Sequence, residues 1–272
     1  MPDFIYSLNT STIRPASLLD KIRIAGEAGY GAIELWHDDV DAYLATGGSL
    51  DTIKKELADR KLIVPSMIYL KGWFETTGAE HATLLSECAR RMEQAAELGS
   101  AISVAGPPAG KADFDLGVRN YRELLELGRQ IGVRPAFEFL GFVGQYHTIE
   151  LARDVLRATK DADACTVVDP FHLFRGGSAI EGFAQAGLTA REIGILHFND
   201  APRDPPREQQ GDEHRVQPGE GHLDLKRYVQ IARDAGYRGA LSLELFNPEL
   251  WKRDPLEVAR HGLAQTRRIV EG

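Results

Sequence analysis

Four polar side chains interrupt apolar runs in the second half of the chain. They are Glu138 in AFEFL, Asp169 at the end of TVVD, His197 at the end of GILH and Glu244 in LSLEL. Burying a carboxylate among apolar side chains costs free energy unless the group is paired or bound to a metal. A single residue of this kind is often only a helix cap or a salt-bridge partner. Four of them in similar runs indicate a shared ligand.

The residue types indicate which ligand to expect. Three carboxylates and one imidazole suit a hard or borderline divalent cation, whereas structural zinc sites are usually built from cysteine and histidine. We therefore expect one divalent metal ion, with Mn²⁺ or Mg²⁺ favoured and Zn²⁺ or Co²⁺ as alternatives. The only cysteines, Cys88 and Cys165, form no Cys-x-x-Cys pair, which is typical of buried thiols in a reducing compartment.

The elements that carry these residues alternate along the whole chain. Short apolar runs predict strands at 4–8, 31–35, 62–69, 101–105, 133–140, 164–169, 192–197 and 239–245. Amphipathic stretches predict helices at 17–28, 50–60, 80–98, 115–131, 148–159, 178–189, 223–235 and 255–270. Strict strand–helix alternation indicates right-handed βαβ units and a parallel sheet.

Two architectures satisfy this alternation. An open doubly wound sheet commonly has a Gly-x-Gly-x-x-Gly turn after its first strand, and the sequence lacks one. A length of 272 residues is ordinary for one barrel. We therefore predict an α/β fold, a single (β/α)₈ TIM barrel over residues 1–272. The four polar residues would then meet at the C-terminal ends of the strands, where barrel active sites are built.

Composition excludes several classes of function. The formal net charge of −8 and the pI near 5.5 disfavour a nucleic-acid partner. No run of 18 apolar residues predicts a membrane span, and the first residues, MPDFIYSLNT, do not have the pattern of a signal peptide. We expect a cytoplasmic protein that acts on a small molecule. A homo-oligomer is compatible with these observations.

A long connection follows the seventh predicted strand. Residues 199–221 are rich in proline, glycine and charge. A loop of this length in a compact domain is usually functional or mobile, so we interpret it as an active-site lid, with a solvated excursion as the alternative. Arg215 would reach inward if this loop folds down.

The segments VVDPFHLFR, LHFNDAPR, DEHRVQPGEG and LSLELFNPELW resemble the xylose-isomerase-like barrel superfamily of sugar isomerases and epimerases. Within it, the likeness is to inosose (keto-inositol) isomerases and their relatives, and it spans most of residues 130–255. The resemblance implies that one divalent cation is bound by Glu138, Asp169, His197 and Glu244. The family's Asp-x-x-His pattern gives His172, and its His followed six residues later by Arg gives Arg203. Both are substrate-binding candidates; the alternatives are a ligand-orienting histidine and a salt bridge within the lid.

The expected chemistry is isomerisation or epimerisation of a small keto-sugar or keto-cyclitol. Such an enzyme removes a proton next to a carbonyl, and the metal-bound enediolate that forms carries negative charge. Glu138 and Glu244 come from well-separated strands, so we expect them to be the proton-transfer pair as well as ligands.

Two other activities share this architecture. Inosose and 3-dehydroshikimate dehydratases abstract the same kind of proton and then expel a hydroxyl, and the four ligands cannot separate the two outcomes. Endonucleases that cut DNA at abasic sites need more histidine and carboxylate ligands and a basic surface, which this acidic sequence does not offer. A catalytically inactive binding barrel is a third alternative, and the intact ligand set argues against it.

Overall fold

The structure is a computed structural model that describes residues 4–272, and its centre is a closed barrel of eight parallel strands. Neighbours around the barrel follow the order of the chain, and the eighth strand pairs with the first. The strands are β1 (Ile5–Asn9), β2 (Ala32–Trp36), β3 (Met67–Leu70), β4 (Ile102–Ala105), β5 (Arg134–Phe137), β6 (Cys165–Val168), β7 (Ile193–Phe198) and β8 (Ala240–Leu243). The predicted fold class is confirmed.

Ten α-helices lie within residues 4–272. They are α1 (Leu18–Ala28), α2 (His37–Ala45), α3 (Leu50–Asp59), α4 (Gly78–Glu97), α5 (Phe114–Ile131), α6 (Ile149–Thr159), α7 (Pro170–Gly176), α8 (Ala179–Ala186), α9 (Leu225–Asp234) and α10 (Pro255–Glu271). Eight of them match predicted helices, and α2 and α7 are additional. In this described part of the chain, no helix is both long and apolar enough to cross a bilayer.

Local capping chemistry sets where the helices begin and end. The Asp113 side chain accepts a hydrogen bond from the backbone N–H of Leu116 and so starts α5. The same helix ends at Gly132, whose φ of 91° is left-handed, a conformation that glycine adopts without a Cβ penalty. The chain thereby turns directly into β5, which carries the first candidate ligand at its end.

The strand pleat points the candidate ligands into the barrel. A cluster of small and branched apolar side chains, separate from the larger core that includes the helices, comprises Ile68, Ile102, Val104, Ala136, Cys165, Val167, Ile195 and Ala240. Residues two positions apart on a strand face the same way. Glu138, Asp169 and His197 lie two positions beyond Ala136, Val167 and Ile195, so they form the next layer up at the C-terminal mouth.

The long connection at 199–221 is folded against this mouth. The Asp200 carboxylate joins its two ends by accepting hydrogen bonds from the backbone N–H groups of Ala201, Gly219, Gly221 and Leu223. Asp200 and Val216 also form an antiparallel bridge. A Cβ on Gly221 would lie 2.3 Å from Asp200 Oδ1, so the position requires glycine. These contacts turn Arg215 inward, and its side chain is only 1% exposed.

Candidate active site

The structure brings the four predicted ligands together around one ring nitrogen. Nδ1 of His197 lies 3.5 Å from Glu138 Oε1, 3.4 Å from Asp169 Oδ2 and 3.0 Å from Glu244 Oε2. All four residues are buried. Their assembly at one point follows from strand ends that meet at the barrel mouth.

The surroundings of His197 suit a cation. Its Nδ1 atom is buried and has no aligned hydrogen-bond partner within residues 4–272. Burial alone would lower the pKa of His197, but the carboxylates of Glu244 and Glu34 raise it well above its ordinary value. An unpartnered nitrogen facing three carboxylates is a donor set that fits a divalent metal ion.

Two carboxyls of this cluster respond differently to their surroundings. Burial raises the pKa of Glu138 well above its ordinary value, and Glu244 and Asp169 add to the rise against the opposing effect of His197. Burial would also raise the pKa of Asp169, but the Arg215 guanidinium holds the pKa of that carboxyl below its ordinary range. Without a metal ion, Asp169 is therefore the anion and Glu138 is the group that retains a proton.

Glu34 is a buried carboxylate of this site that is not among the predicted ligands. It lies on β2 beneath His197, and its oxygens are 3.3 Å from His197 Nε2. Its run, AIELW, has the same form as AFEFL and LSLEL and could have identified it. Glu34, His197 and Glu244 also have ligand-capable atoms within 4.8 Å of one another, so they are a second candidate metal set.

Arg215 supplies the positive charge at the cluster. Its Nη1 donates to Asp169 Oδ2 at 2.9 Å and to Glu244 Oε2 at 2.7 Å, and its Nη2 donates to Asp212 Oδ1 at 2.5 Å. The guanidinium carbon is 5.0 Å from the ring centre of Phe171 and 5.2 Å from that of Phe246. The loop thus places a cation that is paired with three carboxylates against the cluster.

The two predicted substrate-binding residues have different positions. His172 is buried on α7, and its Nε2 lies 3.0 Å from Nη2 of Arg215. Burial lowers the pKa of His172 to about 4, so its imidazole is neutral near pH 7. Arg203 is exposed on the loop surface and has no ion-pair partner within the described residues. In this conformation the guanidinium at the site belongs to Arg215.

A cavity of about 150 Å³ lies above the cluster. Its polar lining residues are Glu138, His172, Asp212, Arg215 and Glu244. The rest of the lining is largely apolar and consists of Trp36, Ile68, Tyr69, Leu140, Phe142 and Phe246. Trp36 and Phe246 meet edge to face, with ring centres 5.9 Å apart. A small molecule with both polar and apolar surface fits such a cavity.

Comparisons with known proteins identify the family of this fold. The sequence profile of the family described as xylose isomerase-like TIM barrel matches residues 22–269. An inosose isomerase from Halalkalibacterium halodurans is 27% identical over 268 residues, which cover 96% of this chain and 94% of that protein. A 3-dehydroshikimate dehydratase from Pseudomonas aeruginosa is 27% identical over 244 residues, which cover 85% of this chain and 36% of that protein.

A solved structure extends the likeness over the whole fold. The crystal structure of the IolI protein with a bound zinc atom aligns with a TM-score of 0.90 at 25% sequence identity. The alignment covers 100% of this chain and 98% of that one. Since the family profile also spans most of the sequence, this chain belongs to the xylose isomerase-like TIM barrel family.

Proposed function

We propose that this protein is a divalent-metal-dependent isomerase or epimerase of a small, uncharged keto-sugar or keto-cyclitol of the inosose type. One observation carries the proposal: Glu138, Asp169 and Glu244 converge within 3.5 Å of the unpartnered Nδ1 of His197. The likeness to inosose isomerases supports the substrate class.

The residues that would hold the metal ion are Glu138, Asp169, His197 and Glu244. When bound there, a divalent ion stabilises the negative charge that develops on substrate oxygens as the proton next to the carbonyl leaves. Three carboxylates in the donor set favour the harder ions Mn²⁺ and Mg²⁺ over Zn²⁺ and Co²⁺.

Glu138 and Glu244 are the proposed proton-transfer residues. Both line the cavity, and they directly follow β5 and β8, so a substrate in the cavity can lie between them. One carboxylate removes the proton from the carbon next to the carbonyl, and the other, in its protonated form, delivers one to the former carbonyl carbon. The hydroxyl proton moves to the former carbonyl oxygen, which completes the isomerisation. The imidazole of His172 also lines the cavity, which suits its predicted role in substrate binding.

The charges around the cavity favour an uncharged substrate. Arg215 is the only cation among the described residues that line it, and its charge is already paired with Asp169, Asp212 and Glu244. A phosphate or carboxylate group would face the acidic side chains of Glu138, Asp212 and Glu244. The site therefore suits a polyol.

A dehydratase is the second candidate, because a 3-dehydroshikimate dehydratase is also among the relatives. Its first step uses the same base and the same proton. The outcome then depends on whether a hydroxyl leaves from the next carbon. The carboxylate of 3-dehydroshikimate would meet the acidic lining described above, so we rank this activity second.

The experiment is a substrate panel followed by NMR in deuterated water. The protein is stripped with a chelator, reloaded with Mn²⁺ and incubated with keto-inositols, ketohexoses and 3-dehydroshikimate. We expect deuterium at the carbon next to the carbonyl and a new isomer of an uncharged substrate, with neither in the stripped protein. Loss of water would favour the dehydratase, and absence of exchange on every compound would contradict both activities.

A further inference from the structure

We infer that Glu34 is a positioning residue: it holds the His197 ring so that Nδ1, and not Nε2, faces the metal position. This inference rests on the proposed function, since it concerns the same metal site. It also decides between the two candidate ligand sets, because Glu34 contacts His197 from the side opposite to Glu138 and Asp169.

The oxygens of Glu34 are already occupied by donors. Oε2 accepts from Asn9 Nδ2 at 2.6 Å and from Ser242 Oγ at 2.8 Å, while Oε1 accepts from Ser66 Oγ at 2.5 Å. These side chains come from β1, the segment before β3, and β8, so the carboxylate is fixed from three directions. A carboxylate that accepts three such bonds is well suited to receive a fourth N–H and poorly suited to bind a metal ion.

The ring of His197 completes this arrangement. Once Nδ1 has given up its proton, the ring keeps the proton on Nε2, donates it to Glu34 across 3.3 Å, and has a free lone pair on Nδ1. That lone pair is directed at Glu138, Asp169 and Glu244 and has no hydrogen-bond partner within residues 4–272. Metal-binding histidines commonly donate their other ring N–H to a carboxylate, which fixes the ring orientation and makes the ligand nitrogen more basic.

Asn9 connects Glu34 to the proposed ligand Glu244. Its Nδ2 bridges Glu34 Oε2 and Glu244 Oε1, the latter at 3.0 Å, and its Oδ1 accepts from the indole N–H of Trp36. Glu34 is therefore connected to a second proposed ligand and to the cavity wall. Loss of its charge should disturb the metal site without removing a ligand.

The first test reads the ring proton of His197 directly. Protein labelled with ¹⁵N-histidine and loaded with diamagnetic Zn²⁺ is studied by two-bond ¹H–¹⁵N correlation, and His197→Gln identifies the signals. We expect the proton on Nε2 and the metal on Nδ1. A proton on Nδ1 would overturn the inference and would favour Glu34 as a ligand. This test needs no variant at Glu34, so it stands even if such a variant fails to fold.

The second test uses Glu34→Gln, which keeps the shape and removes the charge. We expect its Mn²⁺ dissociation constant, measured by calorimetry, to rise about 10–100-fold. Glu126→Gln is the matched control, since it makes the same change at an exposed glutamate on the outer helix α5, and it should bind Mn²⁺ nearly as the wild type does. Equal affinity of wild type and Glu34→Gln would contradict the role of Glu34.

The proposed function and the role of Glu34 fail in different ways. A wild-type protein that binds neither Mn²⁺ nor Zn²⁺ would overturn the proposed function and this inference with it. Metal binding with the ring proton on Nδ1 would overturn the role of Glu34 alone.

Discussion

The Nη1 atom of Arg215 lies 2.9 Å from Oδ2 of Asp169, the same oxygen that faces Nδ1 of His197 at 3.4 Å. The loop cation and the proposed metal ion therefore share a ligand oxygen. Arg215 neutralises buried negative charge when no metal is bound, and it repels a divalent ion when one arrives.

This relationship predicts opposite effects of Arg215→Met on the two forms of the protein. The metal-free form should lose about 3–5 kcal/mol of stability, because the variant leaves buried carboxylates without a partner. The gain in stability on adding Mn²⁺ should be larger than in the wild type, since the competing charge is gone. Thermal or urea unfolding with chelator and with Mn²⁺ measures both quantities.

Arg203→Met is the matched control for that variant, because Arg203 is an exposed arginine of the same loop. It should change neither the metal-free stability nor the gain from Mn²⁺. If Arg215→Met and Arg203→Met behave alike, the contacts of Arg215 control neither the metal-free stability nor the gain from Mn²⁺.

Asp169→Asn should abolish most of the stabilisation by metal. The amide oxygen can still accept from the N–H groups of Phe171 and His172 and so keep the start of α7, but the ligand charge is lost. At a Mn²⁺ concentration 100 times its dissociation constant, the wild type gains about 2.7 kcal/mol by linkage. Asp212→Asn, which alters a partner of Arg215 outside the ligand set, should keep most of that gain. An unchanged gain in Asp169→Asn would exclude Asp169 as a ligand.

Glu138→Gln and Glu244→Gln should each lower turnover by about 10²–10⁴-fold, even at saturating metal. Glutamine preserves the shape and one ligand oxygen while removing the base. Deuterium exchange next to the substrate carbonyl is followed by NMR. If one variant loses exchange more than the other, the glutamate replaced in it is the one that removes the proton, and the other glutamate returns it. Near-normal exchange in both variants would show that another residue is the base, and His172 would be the first residue to examine.

The raised pKa of Glu138 predicts how stability changes with pH. In the metal-free folded protein, Glu138 keeps its proton in a range where the unfolded chain has already lost it. The folded state then binds more protons, so the contribution of Glu138 to stability falls as pH rises above the ordinary glutamate value of about 4.

Urea unfolding in the presence of a chelator checks this sign. From pH 4 to neutral pH, by our expectation, the wild type loses stability relative to Glu138→Gln, which has no proton to release. Parallel pH profiles of the two proteins would show that Glu138 ionises normally.

The barrel and its ligand layer could be predicted because both follow from periodicity. A polar residue in an apolar strand run is easily recognised, and the parallel strand ends place such residues together. Glu34 has the same pattern on β2, but it is not predicted as a site residue because the motifs that resemble the family lie in the second half of the chain. Whether residues 1–272 form one domain stays a prediction.

Other features depend on contacts that periodicity does not encode. Helix α2 has no side-chain cap, since Trp36 precedes it, and helix α7 is short and begins directly after the proposed ligand Asp169. The position of Arg215 depends on the fold of an irregular loop that Asp200 closes through backbone hydrogen bonds. A sequence pattern could therefore suggest that Arg215 reaches inward but could not place it, nor show that Arg203 is exposed.

The most direct test of the account is the anomalous diffraction of crystals grown with Mn²⁺. We predict one strong peak per chain, about 2.0–2.3 Å from Nδ1 of His197 and from oxygens of Glu138, Asp169 and Glu244. A peak bound to Glu34 and Nε2 of His197, or no peak at the barrel mouth at saturating Mn²⁺, would contradict it.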